Sequence, residues 1–550
     1  MLKKESKLGS GTYGIVYLVS TPEGEKYALK RNLSELDNHT EVLREIDVLN
    51  RLRGHPRIIT IKMITNNNDL ENNELNSPLK DKEMNDDIFH FIFELADSDL
   101  DKWLRKNKLT LRQYKQFMID ILLGVEFINL SGIIHRDLKP GNMVVFRPGD
   151  EISSPESMRD KIDSPKLPDR FRDLHRIKIC DFGLSTPVVH DDECSPGVYT
   201  PWYRAPEIIG GSTSYDERAD CWATGCVLYE LLFRTPFTGK CDINDVNIAR
   251  AIIRKAHYKF NDYEIKNVLG YTGAQKLPEK PVTIFQQMMC KSEIKSMIIA
   301  DSEDNDMRET MRSISEILNG LLQINPSKRW SATTALDHSF FDSHRDYIND
   351  CRRNCEPRYA YQHNYDILDV PERKWISKYI IEIYDNRKSF VWYTHKRLLH
   401  AIDLFDRVLR YLKKMDTKKR IKTKTGGHII SNIDAEIYFF CCLRISITLF
   451  GALVRAVDIS EIVPKHLQSS RYISKLKSTE IKVIVDIFKW KFYRYTIYEA
   501  IHDNCEDKED IESHIYHAIT KLTINTSEVN GIDPVELSKD INEIVQLEKE

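Results

Sequence analysis

An ordered series of short motifs constrains this 550-residue chain more than any bulk property. It begins with the glycine-rich LGSGTYGIVY at residues 8–17 and continues with YALKR, which carries Lys30. HRDLKPGN (135–142), DFG (181–183) and WYRAPE (202–207) follow in that order. Glycines at 9, 11 and 14 let the backbone approach a phosphate closely, and β-branched neighbours such as Val16 suit a hairpin laid over a nucleotide. Alone, such a loop says little, because many glycine-rich turns bind nothing. Aspartate and asparagine, however, are hard oxygen donors suited to magnesium. Phosphoryl transfer asks mainly for placed cations, a metal and an oriented nucleophile. The order and completeness of the series remove chance as an explanation.

The length suits roughly three domains. With 41% hydrophobic and 30% charged residues, a packed core is affordable nearly everywhere. A net charge of −3 exerts no general pull on nucleic acid or anionic membrane. The eleven cysteines are scattered, and Cys351-x3-Cys355 has no second pair at zinc spacing. Reduced thiols in a cytoplasmic or nuclear setting are therefore expected, and MLKKESKLGSGTYG contains no secretory signal. The run at 437–454 approaches membrane-spanning length, but Arg444 at its middle would cost several kcal/mol in lipid. A helix buried in protein is the expectation. Two polar stretches, 66–87 and 147–176, read as inserts or long loops. Ser154-Pro155 and Ser164-Pro165 in the second could be self-modified or plain loop.

Residues 1–345 resemble a eukaryotic protein kinase on the motifs quoted above. The resemblance implies an α+β, bilobal fold, with a β-rich small lobe (1–95) and a helical large lobe (96–345). It implies ATP and Mg2+ as cofactors and proteins as substrates. Lys30 would hold the α- and β-phosphates and pair with Glu45. Asp137 would orient the substrate hydroxyl and accept its proton, Lys139 would steady the γ-phosphate, and Asn142 and Asp181 would hold magnesium. Gly9, Ser10, Gly11, Thr12, Gly14, Val16 and Ala28 would enclose the nucleotide. Phe93 would be a bulky gatekeeper, with the backbones of Glu94 and Ala96 on adenine. The same residues also fit a plain buried strand, and the two readings are compatible. Glu207 with Arg329 would form a buried ion pair, and Asp220 would brace the catalytic loop.

Finer features resemble the cyclin-dependent kinases. Arg44-Glu45-Ile46 match their regulatory helix, and GTYG puts Thr12 and Tyr13 where that family is inhibited by phosphorylation. Tyr203-Arg204 marks the wider group that includes mitogen-activated kinases, in which the arginine supports a turn favouring proline after the target residue. The stretch 241–298 corresponds to that group's extra helical insert. Serine/threonine, proline-directed specificity follows as an implication. In this family three arginines receive an activation-segment phosphate. Arg44 and Arg136 are two of them, whereas Ser185-Thr186 stand at the third position. Ser195, followed by Pro196, falls on the acceptor position. Asp191, Asp192 or Glu193 could partly stand in, but exposed pairs contribute about 0–1 kcal/mol each. Moving a loop from 1:99 to 99:1 takes about 5.5 kcal/mol. The main bias is therefore expected from elsewhere in the chain.

RKWISKYIIEIY and THKRLLHAIDLFDRVLRYL resemble the opening helices of a cyclin box, with Asp406-Arg407 matching a pair there. FFCCLRISITLFGALVRAVDISEIVP would supply its buried central helix. Leu449 stands where cyclins place a kinase-gripping lysine, no matching glutamate follows, and the length suits one repeat. This implies an all-α, cyclin-box-like domain at 372–515, after a linker (346–371) and before an acidic tail (516–550). It would meet the regulatory helix within one chain or in a dimer. Fully extended, the stretch from Phe341 to Pro371 reaches roughly 100 Å, enough for either. An unrelated helical targeting domain and a non-catalytic pseudokinase scaffold remain open, although every catalytic position is intact. The basic run at 413–427 lacks interleaved aromatics, so a solvated loop is favoured over nucleic-acid binding or nuclear import. Asn-, Ile- and Lys-rich inserts, with kinase and activator in one chain, suggest a large-virus or AT-rich genome.

Overall fold

The computed structural model describes residues 2–11, 14–32, 40–66, 70–71, 89–149, 173–187, 198–213, 215–239, 245–255, 283–301 and 307–355. In the second half it describes 371–390, 393–419, 432–450, 459–464, 467–484, 511–523, 537–539 and 541. Thr12, Tyr13, Asp191, Asp192, Glu193 and Ser195 lie outside the described residues, as do most of both polar inserts. The chain divides into two compact units, the first reaching Pro357 and the second beginning at Arg358.

The first unit opens with a sheet ordered β4-β6-β3-β2-β1-β5. Its strands are β1 (Leu2–Gly11), β2 (Gly14–Ser20), β3 (Lys26–Asn32), β4 (Ile61–Asn66), β5 (Leu70–Glu71) and β6 (Phe89–Glu94). Register decides what the sheet presents. Val16 lies opposite Lys30, and Ala28 lies opposite Phe93. Cross-strand partners share a face, as do residues two apart, so Val16, Ala28, Lys30 and Phe93 all line one side. On the other side Leu2, Tyr17, Val19, Leu29 and Ile92 form a buried cluster. Leu70–Glu71 falls inside the stretch read as a polar insert, yet it pairs in parallel with Leu2 and Lys3. Backbone pairing of this kind does not depend on apolar side chains, so composition concealed it.

Helix α1 (Thr40–Arg51) follows β3, and its residues from Val42 to Leu49 are all buried. It ends at a turn where His55 stacks on Phe127 with ring centroids 4.4 Å apart. His55 Nδ1 also accepts the Arg57 N–H at 3.2 Å. The helical lobe is built on α3 (Leu111–Leu130) and α5 (Arg218–Phe233), which are apolar nearly all round and correspondingly buried. β7 (Ser98–Asp99) leads into α2 (Leu100–Lys106). A three-stranded sheet joins β7 to β9 (Met143–Phe146) and β10 (Arg176–Ile179), and β8 (Ile133–Ile134) pairs with β11 (Thr186–Pro187). Helices α4 (Pro206–Ile209) and α6 (Asp245–Lys255) follow. The described parts of the 241–298 insert are helical.

Two buried ionic assemblies hold this lobe. Arg329 forks onto Glu207 through two 2.8 Å bonds and also donates to the carbonyls of Arg218, Gln323 and Ile324. Asp120 on α3 accepts two bonds from Arg176 and one from the Ile177 N–H. Arg176 in turn donates to the Tyr347 hydroxyl at 2.7 Å. Tyr347 lies on a helix, Arg345–Asn354, that also buries Ile348 and Cys351 and pairs Arg352 with Glu126. The expected linker at 346–371 thus begins too early. Its charged, tyrosine-bearing residues form a helix docked through Arg176 and Glu126, partners too far away in sequence to be seen locally. Cys351 and Cys355 are buried free thiols, and among the described residues no group of three His, Cys, Asp or Glu could hold a metal ion.

The described part of the second unit is mainly helical. Its centre is the Asn432–Phe450 helix, against which Pro371–Asp385, His395–Lys419 and Ser470–Lys482 pack. Arg444, the charge inside the apolar run, donates to Glu480 Oε2 at 2.6 Å. No helix among the described residues is long and apolar enough to cross a membrane. Glu436 accepts from both Trp375 Nε1 and the Tyr379 hydroxyl, tying the first helix to the central one. The basic run at 413–427 begins within the His395–Lys419 helix rather than in a loop, and 420–431 lie outside the described residues.

Two measurements check this reading. Burial, followed by the charges of Arg57 and Lys178, pushes the His55 imidazole down to about 3. The folded protein therefore keeps His55 neutral, while the unfolded chain takes up a proton below about 6.5. Stability should fall as pH drops from 6.5 toward 3, at up to about 1.4 kcal/mol per pH unit from this group. Urea denaturation should show a shallower acid slope for His55→Gln. Glu207→Gln leaves the buried Arg329 charge uncompensated and should lower stability by about 3–5 kcal/mol, read by the same assay.

Candidate active site

Three elements converge at the glycine-rich end of the sheet. Lys30 Nζ, from β3, lies 2.6 and 2.8 Å from the Glu45 carboxylate on α1, and 2.9 Å from Asp181 Oδ1 just beyond β10. Burial alone would strip the proton from Lys30, but the charges of Glu45 and Asp181 outweigh it and push the amine's pKa up. Burial likewise pushes the Asp181 carboxyl up, and Lys30's charge and hydrogen bond reverse this, leaving it below the ordinary range. The Lys30 ammonium thus lies between the Glu45 and Asp181 side chains.

A second cluster sits on the loop between β8 and β9. Asp137 Oδ2 accepts from Lys139 Nζ at 2.6 Å and from Asn142 Nδ2 at 2.8 Å. Its Oδ1 accepts the Thr200 hydroxyl at 2.7 Å and the Thr200 N–H at 3.2 Å. Lys139 also donates to Thr200 Oγ1. Thr200 was not singled out in the sequence. Its position just before Pro201-Trp202 was the available signal.

The loop's shape is imposed from below. Asp220, at the start of α5, accepts the His135 N–H at 2.7 Å, the Arg136 N–H at 3.1 Å and the Tyr199 hydroxyl at 3.0 Å. His135 Nδ1 accepts the Asp137 N–H, so its Nε2 carries the proton and donates to the Cys180 carbonyl. Arg136, Asp181 and Tyr199 adopt φ of 66°, 65° and 67°. For L-residues this conformation costs about 1–2 kcal/mol each, and all three lie where bonds to the catalytic groups fix them.

The remaining expected residues divide clearly. Val16, Ala28 and Phe93 share the face that carries Lys30. The Glu94 carboxylate is fastened to Lys178 at 2.8 and 2.9 Å and accepts the Thr60 N–H, so the end of β6 is pinned. Gly9, Ser10, Gly11 and Gly14 lie at the β1–β2 turn. Of the regulatory set, Arg44 is buried on α1, and Arg136 donates through Nε to the Leu184 carbonyl at 2.6 Å. Ser185, one of the Ser185-Thr186 pair read at the third arginine's position, is buried and donates to the His135 carbonyl at 3.2 Å.

The donor set fits a nucleotide with magnesium. Asn142 turns its amide nitrogen to the carbonyl and carboxylate of Asp137, which leaves its Oδ1 as an oxygen donor. Together with Asp181 this gives the one or two protein oxygens that Mg2+ takes when phosphates and water complete its shell. Lys30 and Lys139 would supply fixed positive charge for the phosphates.

The protein kinase domain model matches residues 2–341. Mitogen-activated protein kinase 3 of Arabidopsis thaliana is 31% identical over 252 residues, covering 45% of this chain and 57% of that protein. Mitogen-activated protein kinase 1 of Oryza sativa subsp. japonica is 29% identical over 285 residues, covering 50% of this chain and 62% of that protein. The chain thus spans about three fifths of the length of these relatives. A solved structure of the CAK complex from Chaetomium thermophilum bound to ATP-gamma-S aligns with a TM-score of 0.46 and 22% identity, covering 62% of this chain and 90% of that one. With the matched model covering more than half of the sequence and the site assembled within it, the chain belongs to the protein kinase domain family.

Proposed function

We propose that this chain is a serine/threonine protein kinase that transfers the γ-phosphate of ATP, with Mg2+, to a serine or threonine followed by proline. In the same proposal the helical second unit is cyclin-like and activates the first, within one chain or across a dimer. The observation that carries the transfer reading is the joint assembly of Lys30–Glu45–Asp181 and Asp137–Lys139–Asn142, with no catalytic position lost. Bound magnesium would neutralise the phosphate oxygens. Asp137 would then orient the substrate hydroxyl and take its proton, since Oδ1 already accepts an aliphatic hydroxyl, that of Thr200, which a substrate serine or threonine would replace.

Preference for proline is supported by Arg204. Its Nε and Nη2 donate to the carbonyls of Val198 and Tyr199, at 3.1 and 3.2 Å, while Nη1 pairs with Asp245. With those carbonyls occupied, a substrate N–H after the target residue would be left without an acceptor. Proline has no such N–H. The curated relatives' names, mitogen-activated protein kinases, point to the same group. The activator reading is supported by the second unit's buried central helix with three helices packed around it.

Asp137→Asn should lower kcat for a Ser-Pro peptide by roughly 10²–10⁴-fold with little change in the KM for ATP. Absence of ATP- and Mg2+-dependent turnover by the wild-type chain would remove the enzyme reading. A chain ended after Pro357, which keeps the Arg345–Asn354 helix, should lose most of its activity while staying folded. Full activity in that truncation would show that the second unit is not an activator.

A further inference from the structure

We propose that Tyr199 is a positioning residue that couples recognition of the residue after the phosphoacceptor to the catalytic loop, through its hydroxyl's bond to Asp220. The inference rests on the kinase reading above and adds a specificity-determining residue to it.

Three consecutive residues carry the coupling. The Val198 and Tyr199 carbonyls are held by Arg204. The Tyr199 ring is buried, with its centroid 6.3 Å from that of Tyr215 in an edge arrangement, and its hydroxyl lies 3.0 Å from Asp220 Oδ1. Thr200 then bonds Asp137 through both its hydroxyl and its N–H. Asp220 is also the group that holds the His135 and Arg136 N–H groups, so one carboxylate sets both the turn and the loop.

The backbone gives the hydroxyl a specific task. Tyr199 sits at φ 67°, a conformation that glycine accepts readily and a tyrosine does not. Packing of the ring would be met equally by phenylalanine. The phenol–carboxylate bond is what distinguishes tyrosine here, and it pulls the residue toward α5 in the left-handed conformation. Without it Asp220 keeps its two backbone bonds, so the catalytic loop retains its brace. The turn, however, is free to relax toward extended backbone. The carbonyls then swing off Arg204 and become acceptors for a substrate N–H, and the advantage of proline falls. Tyr199 acts through the turn and never on the reacting atoms.

The test uses the full chain, wild type and Tyr199→Phe, with two peptides differing only in proline or alanine after the serine. Steady-state kcat and KM are measured for each peptide, together with the KM for ATP and the nucleotide-dependent thermal shift. The expected result is at least about a tenfold fall in the Ser-Pro over Ser-Ala ratio of kcat/KM in the variant. That fall should appear mainly in peptide KM, with the KM for ATP and the thermal shift kept. A general loss of folded enzyme would lower both peptides equally and would not move the ratio. An active wild type matched by Tyr199→Phe in that ratio overturns this inference alone. A wild type that uses both peptides equally overturns it together with proline direction, and a wild type inactive on both overturns the kinase reading and the inference with it.

Discussion

The buried ammonium of Lys30 is the interaction on which the first unit's site depends. It reaches Glu45 on α1 and Asp181 beyond β10, so a strand, a helix and the metal-donor loop meet at one nitrogen. Burial alone would push the Lys30 amine down and the Asp181 carboxyl up. The carboxylates keep the amine protonated, and the amine holds Asp181 below the ordinary carboxyl range. Two negative groups around one positive one leave a deficit of positive charge. Added Mg2+ would correct it, while the phosphates of a nucleotide would draw on Lys30 and Lys139. The sheet register makes this possible by setting Lys30 on the same face as Val16, Ala28 and Phe93, which gives the charged cluster an apolar neighbour on which a base can lie.

The second determinant is the way backbone strain is held. Arg136, Asp181 and Tyr199 occupy the left-handed region, and each is bound by groups from another element. Asp220 takes the Arg136 N–H and the Tyr199 hydroxyl, and Lys30 takes Asp181. Unbound, each residue would relax to a conformation that aims its neighbours elsewhere. The large lobe's apolar helices supply the rigid base from which Asp220 acts, since α5 is buried along nearly its whole length. Burial therefore serves the chemistry indirectly, by making a carboxylate at a helix start stiff enough to hold a strained loop.

Much of this was legible in the sequence because the relevant signals are local. GIVYLVS and KYALKR coincide with β2 and β3, TEVLREIDVLNR with α1, and the Asn432–Phe450 helix covers most of the apolar run, with Arg444 paired inside protein. The motif residues gather in two clusters, Lys30 with Glu45 and Asp181, and Asp137 with Lys139 and Asn142. What escaped was set by distant partners. The Arg345–Asn354 helix looked like linker because its stability comes from Arg176 and Glu126, and Leu70–Glu71 pairs through backbone alone. Thr200 and Tyr199 carry no signature of their own. Their importance lies in Asp137 and Asp220, between 21 and 63 positions away.

The start of the activation segment shows how that distance logic bears on control. Ser185, one of the Ser185-Thr186 pair read at the third arginine's position, donates to the His135 carbonyl. Its neighbours are tied to the same loop: Thr186 pairs with Ile134 across β11 and β8, and Arg136 donates to the Leu184 carbonyl. Neutral hydrogen bonds contribute about 0.5–1.5 kcal/mol each and one from a charged donor about 1.5–3. Together these contacts amount to several kcal/mol, comparable with the roughly 5.5 kcal/mol that separates a loop mostly out of place from one mostly in place. They hold this end of the segment without drawing on a phosphate.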